Sequence, residues 1–170
     1  MDSYLEKWCC LIIFLDEERH DQLEILQHTL DVVANFTFRK YIYSKAAFQL
    51  PLELDPSIEL FTITSDDNST QRKLAFNQAF TNGFRKIILF ENNTLQLEAK
   101  HLLEGFNCLK MLEFCIGPLA SGKYYLLGMN YFEPALFNHV SWQSNELTKD
   151  LIREIGKLKE ALYKLPVLNQ

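Results

Sequence analysis

The sequence predicts an α/β fold with a mostly parallel sheet covered on both sides. Short, continuous apolar runs of strand length alternate with stretches whose apolar residues recur every three or four positions, and Gly, Pro and Asp/Asn/Ser punctuate the junctions. The 170 residues are 48% hydrophobic and 23% charged, enough apolar material for one continuous core, so a single domain over 1–170 is expected.

Cys9 to Leu15 is an unbroken apolar run, as a central parallel strand buried on both faces requires. From Asp21 to Asn35, Leu23, Leu26, Leu30 and Val33 form a stripe that predicts an amphipathic helix. Phe38–Ser44 and Glu59–Thr64 read as two more strands, separated by the breakers Pro51 and Pro56. Ser69 or Thr70 is placed to cap a helix running to Thr81, Asp66-Asp67-Asn68 reads as a turn and cap before it, and Gly83 stops it ahead of a strand over Lys86–Phe90. Leu97–Phe106 follows as a helix, with strands over Glu113–Ile116 and Tyr124–Met129. Ser144–Leu158 carries Leu147, Leu151, Ile155 and Leu158 on one stripe of a late helix, and Ala161–Leu165 completes the pattern as a short strand. In such a sheet the ligand crevice is expected beyond the carboxyl ends of the strands.

Composition removes several functional classes. A net charge of −5 lacks the Lys/Arg excess on which affinity for phosphate backbones rests, so no nucleic-acid partner is expected. The apolar stretch Trp8–Leu15 is too short to span a bilayer. The nearly neutral Met1–Lys7 before it and Asp16, Glu17, Glu18 and Arg19 after it do not suit a secretion signal. A cytoplasmic protein without a membrane partner is the expectation. Cys9, Cys10, Cys108 and Cys115 show no metal-ligand spacing and read as buried thiols in apolar strands. His20, Glu24 and His28 fall at four-residue intervals, but without a further ligand nearby they read as a solvated helix face, and His101 and His139 have no recognisable nucleophile or acid partner.

The segment Gly117–Gly128, G-P-L-A-S-G-K-Y-Y-L-L-G, is the most specific feature. It resembles the motif G-P-A-E-D-G-G-Y-Y-L-[IL]-G of small bacterial nucleotide-diphospho-sugar transferase-like proteins, a glycosyltransferase-A-like family related to phospholactate guanylyltransferases. Gly117, Pro118, Gly122, Tyr124, Tyr125, Leu126, Leu127 and Gly128 fit, whereas the motif's Glu-Asp pair falls on Ala120 and Ser121 and its second glycine on Lys123. The likeness runs from about Gln71 to Leu168, through A-F-T-N-G-F-R-K-I-I-L at Ala79–Leu89, Pro134–Phe137 and Trp142–Leu147. It implies a compact three-layer α/β/α sandwich with the nucleotide-diphospho-sugar transferase fold.

Against that family the charged equipment is depleted. Where the resemblance implies a basic, glycine-containing loop after the first strand, this chain has the acidic turn Asp16-Glu17-Glu18-Arg19-His20. Where it implies a metal-binding aspartate after the strand Ile87–Phe90, in G-[ST]-D, the chain reads Glu91-Asn92-Asn93; an asparagine keeps an oxygen ligand but loses the charge that attracts a hard cation. Asn145 stands where an acid is usual, with Glu146 retained beside it, and Leu165–Asn169 matches L-P-P-L-R without the acidic segment that follows.

The expected cleft is therefore vestigial, built from Glu91, Asn92, Asn93, Gly117, Pro118, Ser121, Gly122, Lys123, Tyr124, Trp142, Asn145 and Glu146, with no confident catalytic residue and no metal site. Tyr124 and Trp142 are candidates to stack on a base or sugar, with ordinary core packing as the alternative, and Tyr125 should point to the opposite face. Lys123 either binds a different anion or fills the old crevice. The preferred expectation is a catalytically inactive relative that binds a protein or small-molecule ligand, without cofactor; a homodimer stays open. The alternative is an active glycosyl- or nucleotidyltransferase with Mg or Mn held by Glu91, Asp66, Asp67 or Glu146, and with Arg72 or Lys123 on phosphate.

Overall fold

The computed structural model describes residues 7–15, 19–45 and 55–170. The acidic turn at Asp16, Glu17 and Glu18 and the break at Pro51 lie outside them. Seven strands, β1 (Cys9–Phe14), β2 (Arg39–Ser44), β3 (Ile58–Thr62), β4 (Lys86–Phe90), β5 (Phe114–Pro118), β6 (Tyr124–Met129) and β7 (Leu162–Lys164), form one sheet in the order β3-β2-β1-β4-β6-β5-β7. All pairs are parallel except those of β6, which runs antiparallel to both β4 and β5. The helices are α1 (Gln22–Val33), α2 (Asn68–Thr81), α3 (Ala99–Cys108), α4 (Ala135–Asn138) and α5 (Leu147–Leu158).

Alternate residues of the fully buried β1 supply two cores, one on each face of the sheet. Cys10, Ile12 and Phe14 pack with Phe76 of α2, Phe137 of α4 and Leu151 of α5. Leu11 and Ile13 pack with Ile25 of α1 and with Leu102 and Phe106 of α3. This is the three-layer α/β/α sandwich. Tyr124 and Tyr125 enter opposite cores, as period-two alternation requires.

β4 and β6 fall where the sequence places them, the short α4 is an addition to the sequence reading, and the other elements shift by a few residues. Three details of the elements bear on the sequence reading. The buried side of α1 is Gln22, Ile25, Leu26, Thr29 and Val33, with Leu23 52% exposed, because Gln22 and Thr29 are drawn inward by hydrogen bonds to Asn92. The cap of α2 is Asp67, in keeping with the turn-and-cap reading of Asp66-Asp67-Asn68, and its carboxylate accepts from the Thr70 amide at 2.7 Å; Ser69 and Thr70 lie inside the helix. Cys108 lies on a helix and is only partly buried; all four cysteines are free thiols.

The frame Gly117–Gly128 is a packing device. At Gly117 a β-carbon would overlap the ring of Tyr125, which donates to the Pro166 carbonyl at 3.2 Å. Gly117→Ala should therefore cost roughly 1–3 kcal/mol in urea denaturation, since neither ring nor strand has room to yield. Gly122 turns with φ +87°, and a β-carbon there would lie 2.6 Å from the Asn145 carbonyl oxygen. The turn between β5 and β6 is thus pressed onto the segment leading into α5, and the Thr148 amide donates to the Gly122 carbonyl at 3.2 Å.

His101 is 2% exposed in the first turn of α3, and its Nδ1 accepts from the Glu98 amide at 3.0 Å. Burial holds its pKa below the ordinary 6.5. A proton therefore binds the unfolded chain first. Stability should fall as the pH drops from about 6.5 through the depressed folded value, and His101→Gln should flatten that limb in denaturation curves taken across pH.

Candidate functional site

The parallel pairing puts the carboxyl ends of β1 to β4 on one side of the molecule. β2 and β4 flank β1 on opposite sides, so the chain order reverses there and a crevice opens at the switch. Antiparallel β6 delivers its first residue, Tyr124, to the same place: the Glu91 amide donates to the Tyr125 carbonyl at 3.1 Å. A cleft of about 680 Å³ occupies this end of the sheet.

At its centre stands Glu91, one residue beyond β4. Arg72, the fifth residue of α2, grips it with two hydrogen bonds, Nη2 to Oε2 at 2.6 Å and Nε to Oε1 at 3.1 Å, and the Tyr124 hydroxyl donates to Glu91 Oε1. Both charged side chains are 14% exposed. The remaining Arg72 nitrogen, Nη1, donates to Gln71 Oε1 at 2.6 Å and Asn68 Oδ1 at 3.3 Å, and the guanidinium lies 4.3 Å from the Phe14 ring centroid. Burial disfavours the Arg72 cation, but the Glu91 carboxylate more than reverses this and holds its pKa above the ordinary value. Burial, with the adjacent Glu91 charge, pushes the Tyr124 phenol well up. At neutral pH the trio is a closed ion pair capped by a neutral phenol.

The two asparagines after Glu91 have separate fates. Asn92, at φ 48°, is fully buried and turns away from the cleft. Its amide donates to the Gln22 backbone carbonyl at 3.2 Å and to Gln22 Oε1 at 3.0 Å, which fastens the exit of β4 to α1. Asn93 lines the cleft, and its Nδ2 donates to the Tyr124 carbonyl at 3.0 Å. Its Oδ1 is buried without a donor.

Of the other expected residues, Lys123, Tyr124, Trp142 and Asn145 line the cleft. Gly117 and Pro118 instead belong to β5, Ser121 and Gly122 to the turn that positions Lys123, and Glu146 pairs with Lys149 at 2.6 Å away from the cleft. The aromatic pair is unavailable for stacking. Tyr124 and Trp142 are 2% and 7% exposed and meet edge to face, and Phe137 covers the indole at 5.4 Å and 10°. Sequence reasoning had no signal for Arg19, Lys45, Gln71 or Gln143 in the lining, because they arrive from separate loops and helix starts. His139 does have an acid partner, Glu154 of α5, at 2.9 Å, and neither residue lines the cleft.

The implied divalent-metal site can be tested on its donors. Glu91 is committed to Arg72 and Tyr124, Asn92 to Gln22, and Asn93 offers one neutral oxygen. Asp67 is a helix cap and Asp66 pairs with Lys45 at 3.8 Å. Among the described residues no three His, Cys, Asp or Glu side chains converge on a point that could hold an ion. This donor set does not fit a hard cation.

The architecture defines the chain as a protein of the nucleotide-diphospho-sugar transferase fold. It superposes with a TM-score of 0.84 on a protein of Desulfovibrio desulfuricans G20 described as a nucleotide-diphospho-sugar transferase, at 17% identity over 96% of this chain and 82% of that one. The 4-diphosphocytidyl-2C-methyl-D-erythritol synthase of Anaerococcus prevotii DSM 20548 is similar at TM-score 0.67 and 10% identity, over 98% and 89% of the two chains. Rv0371c of Mycobacterium tuberculosis H37Rv, in complex with manganese, is similar at TM-score 0.58 and 13% identity, over 96% and 89%. The chain belongs to the family described as an uncharacterized protein conserved in bacteria (DUF2064), whose model matches residues 29–144. No curated protein matches its sequence. Among the described residues no helix is long and apolar enough to cross a membrane.

Proposed function

We propose that this protein is a catalytically inactive member of the fold that acts by binding a ligand in the cleft. The observation that carries this is the bidentate Arg72–Glu91 pair: Asn93 stands where the resemblance implies a metal-binding aspartate, and Glu91, the carboxylate at the strand end that could replace it, is neutralised by the chain's own guanidinium. A metal-dependent transferase needs a divalent ion to balance the charge on a transferring diphosphate. Here the acid that would hold it is spoken for. Four free thiols suit a reducing, cytoplasmic setting.

A second reading, an active metal-dependent transferase, is favoured by the manganese bound to Rv0371c. Titration of the protein with nucleoside diphosphates, nucleoside triphosphates and nucleotide sugars, each with and without Mn²⁺, separates the two. The inactive protein should show no Mn²⁺-dependent tightening and no release of nucleotide or pyrophosphate. Micromolar binding that requires Mn²⁺, or turnover, would establish the transferase instead.

A further inference from the structure

We propose that the cleft takes a polyhydroxylated ligand with a single anionic group, a sugar bearing one phosphate or one carboxylate, seated where the exit of β4, the start of β6 and the approach to α5 meet. The proposal rests on the binding function above and names its ligand class.

Charge sets the first requirement. Arg72 spends its donors on Glu91, Gln71 and Asn68, Arg19 is paired with Asp21 at 2.7 Å, and Lys45 faces Asp66. Lys123 is exposed on the cleft wall and, among the described residues, has no ion-pair partner. One lysine balances one anionic group; a nucleoside diphosphate brings more negative charge than that.

Hydrogen bonding sets the second. Asn93 is 8% exposed, and the bond from its Nδ2 to the Tyr124 carbonyl fixes the amide so that Oδ1 is left buried without a donor. A ligand hydroxyl would supply one. Gln143 and Asn145, on the segment that Gly122 presses against, add exposed amides to the same wall as Lys123. Amides both donate and accept, which suits vicinal hydroxyls.

The aromatic rings set the third. A nucleobase is commonly held on an open π-face. Phe137 covers Trp142, Tyr124 is buried, and Phe14 lies between Arg72 and the Tyr43 ring at 5.1 Å. The lining therefore offers amides and a cation where a nucleotide site would need a platform.

The test is calorimetric titration with glucose 6-phosphate, glucuronate, glucose, inorganic phosphate and UDP, on the wild type and on Lys123→Gln and Asn145→Ala. Both substitutions are at exposed positions, and unchanged thermal unfolding would verify their folds. Glucose 6-phosphate or glucuronate should bind at least about tenfold more tightly than glucose or phosphate, the phosphate and carboxylate arms identifying which anion is preferred. Lys123→Gln should weaken the anionic sugar about tenfold and leave glucose unchanged, and Asn145→Ala should weaken both. Equal affinity for phosphate and glucose 6-phosphate, tighter binding of UDP, or no binding of either sugar anion would overturn the ligand class while leaving inactivity intact. Turnover of a nucleotide sugar would instead overturn the function on which it rests.

Discussion

Replacing Arg72 with Met should cost roughly 3–5 kcal/mol of stability, because it strands the Glu91 carboxylate in a largely buried position with only the Tyr124 hydroxyl as partner. The loss also removes the contact with Phe14 and the bonds to Gln71 and Asn68. Urea denaturation of Arg72→Met, Glu91→Gln and the double variant Arg72→Gln/Glu91→Gln would measure it. The double variant should recover part of the loss, since two neutral amides leave no uncompensated charge. A loss below about 1 kcal/mol for Arg72→Met would mean that the pair behaves as an exposed one.

The second large effect concerns metal. Asn93→Asp alone should bind Mn²⁺ poorly, because Glu91 remains held by Arg72 and one carboxylate is a weak site. Combined with Arg72→Gln, it presents two carboxylates at the end of β4, and affinity for Mn²⁺ should rise at least about tenfold over the single variant. Thermal unfolding with and without Mn²⁺ reads this directly, since an ion bound to the folded state raises the midpoint. Equal response in the two variants would show that Arg72 does not control the carboxylate.

Much of this molecule was legible from its residues. Unbroken apolar runs fixed β1 and β4, and the glycines at 117 and 122 marked where backbone must approach a ring or another backbone. The rotation of α1 was not legible, because hydropathy ranks Leu23 above Gln22 and Thr29. Their burial depends on hydrogen bonds to Asn92, 70 positions away in the case of Gln22. Tyr124 and Trp142 were visible as aromatic wall candidates, but only packing shows that Phe137 takes the indole face. Arg72 drew notice as a phosphate contact; its engagement with Glu91 follows from α2 crossing the sheet between β3 and β4, which no local pattern encodes.

Because the guanidinium that balances Glu91 is covalently part of the polypeptide, its occupancy is complete whenever the chain is folded. A dissociable ion would come and go with supply. The cleft walls thus keep their charge balance through metal starvation and in the presence of chelators, and whatever this protein recognises, it does so with a pocket assembled at synthesis.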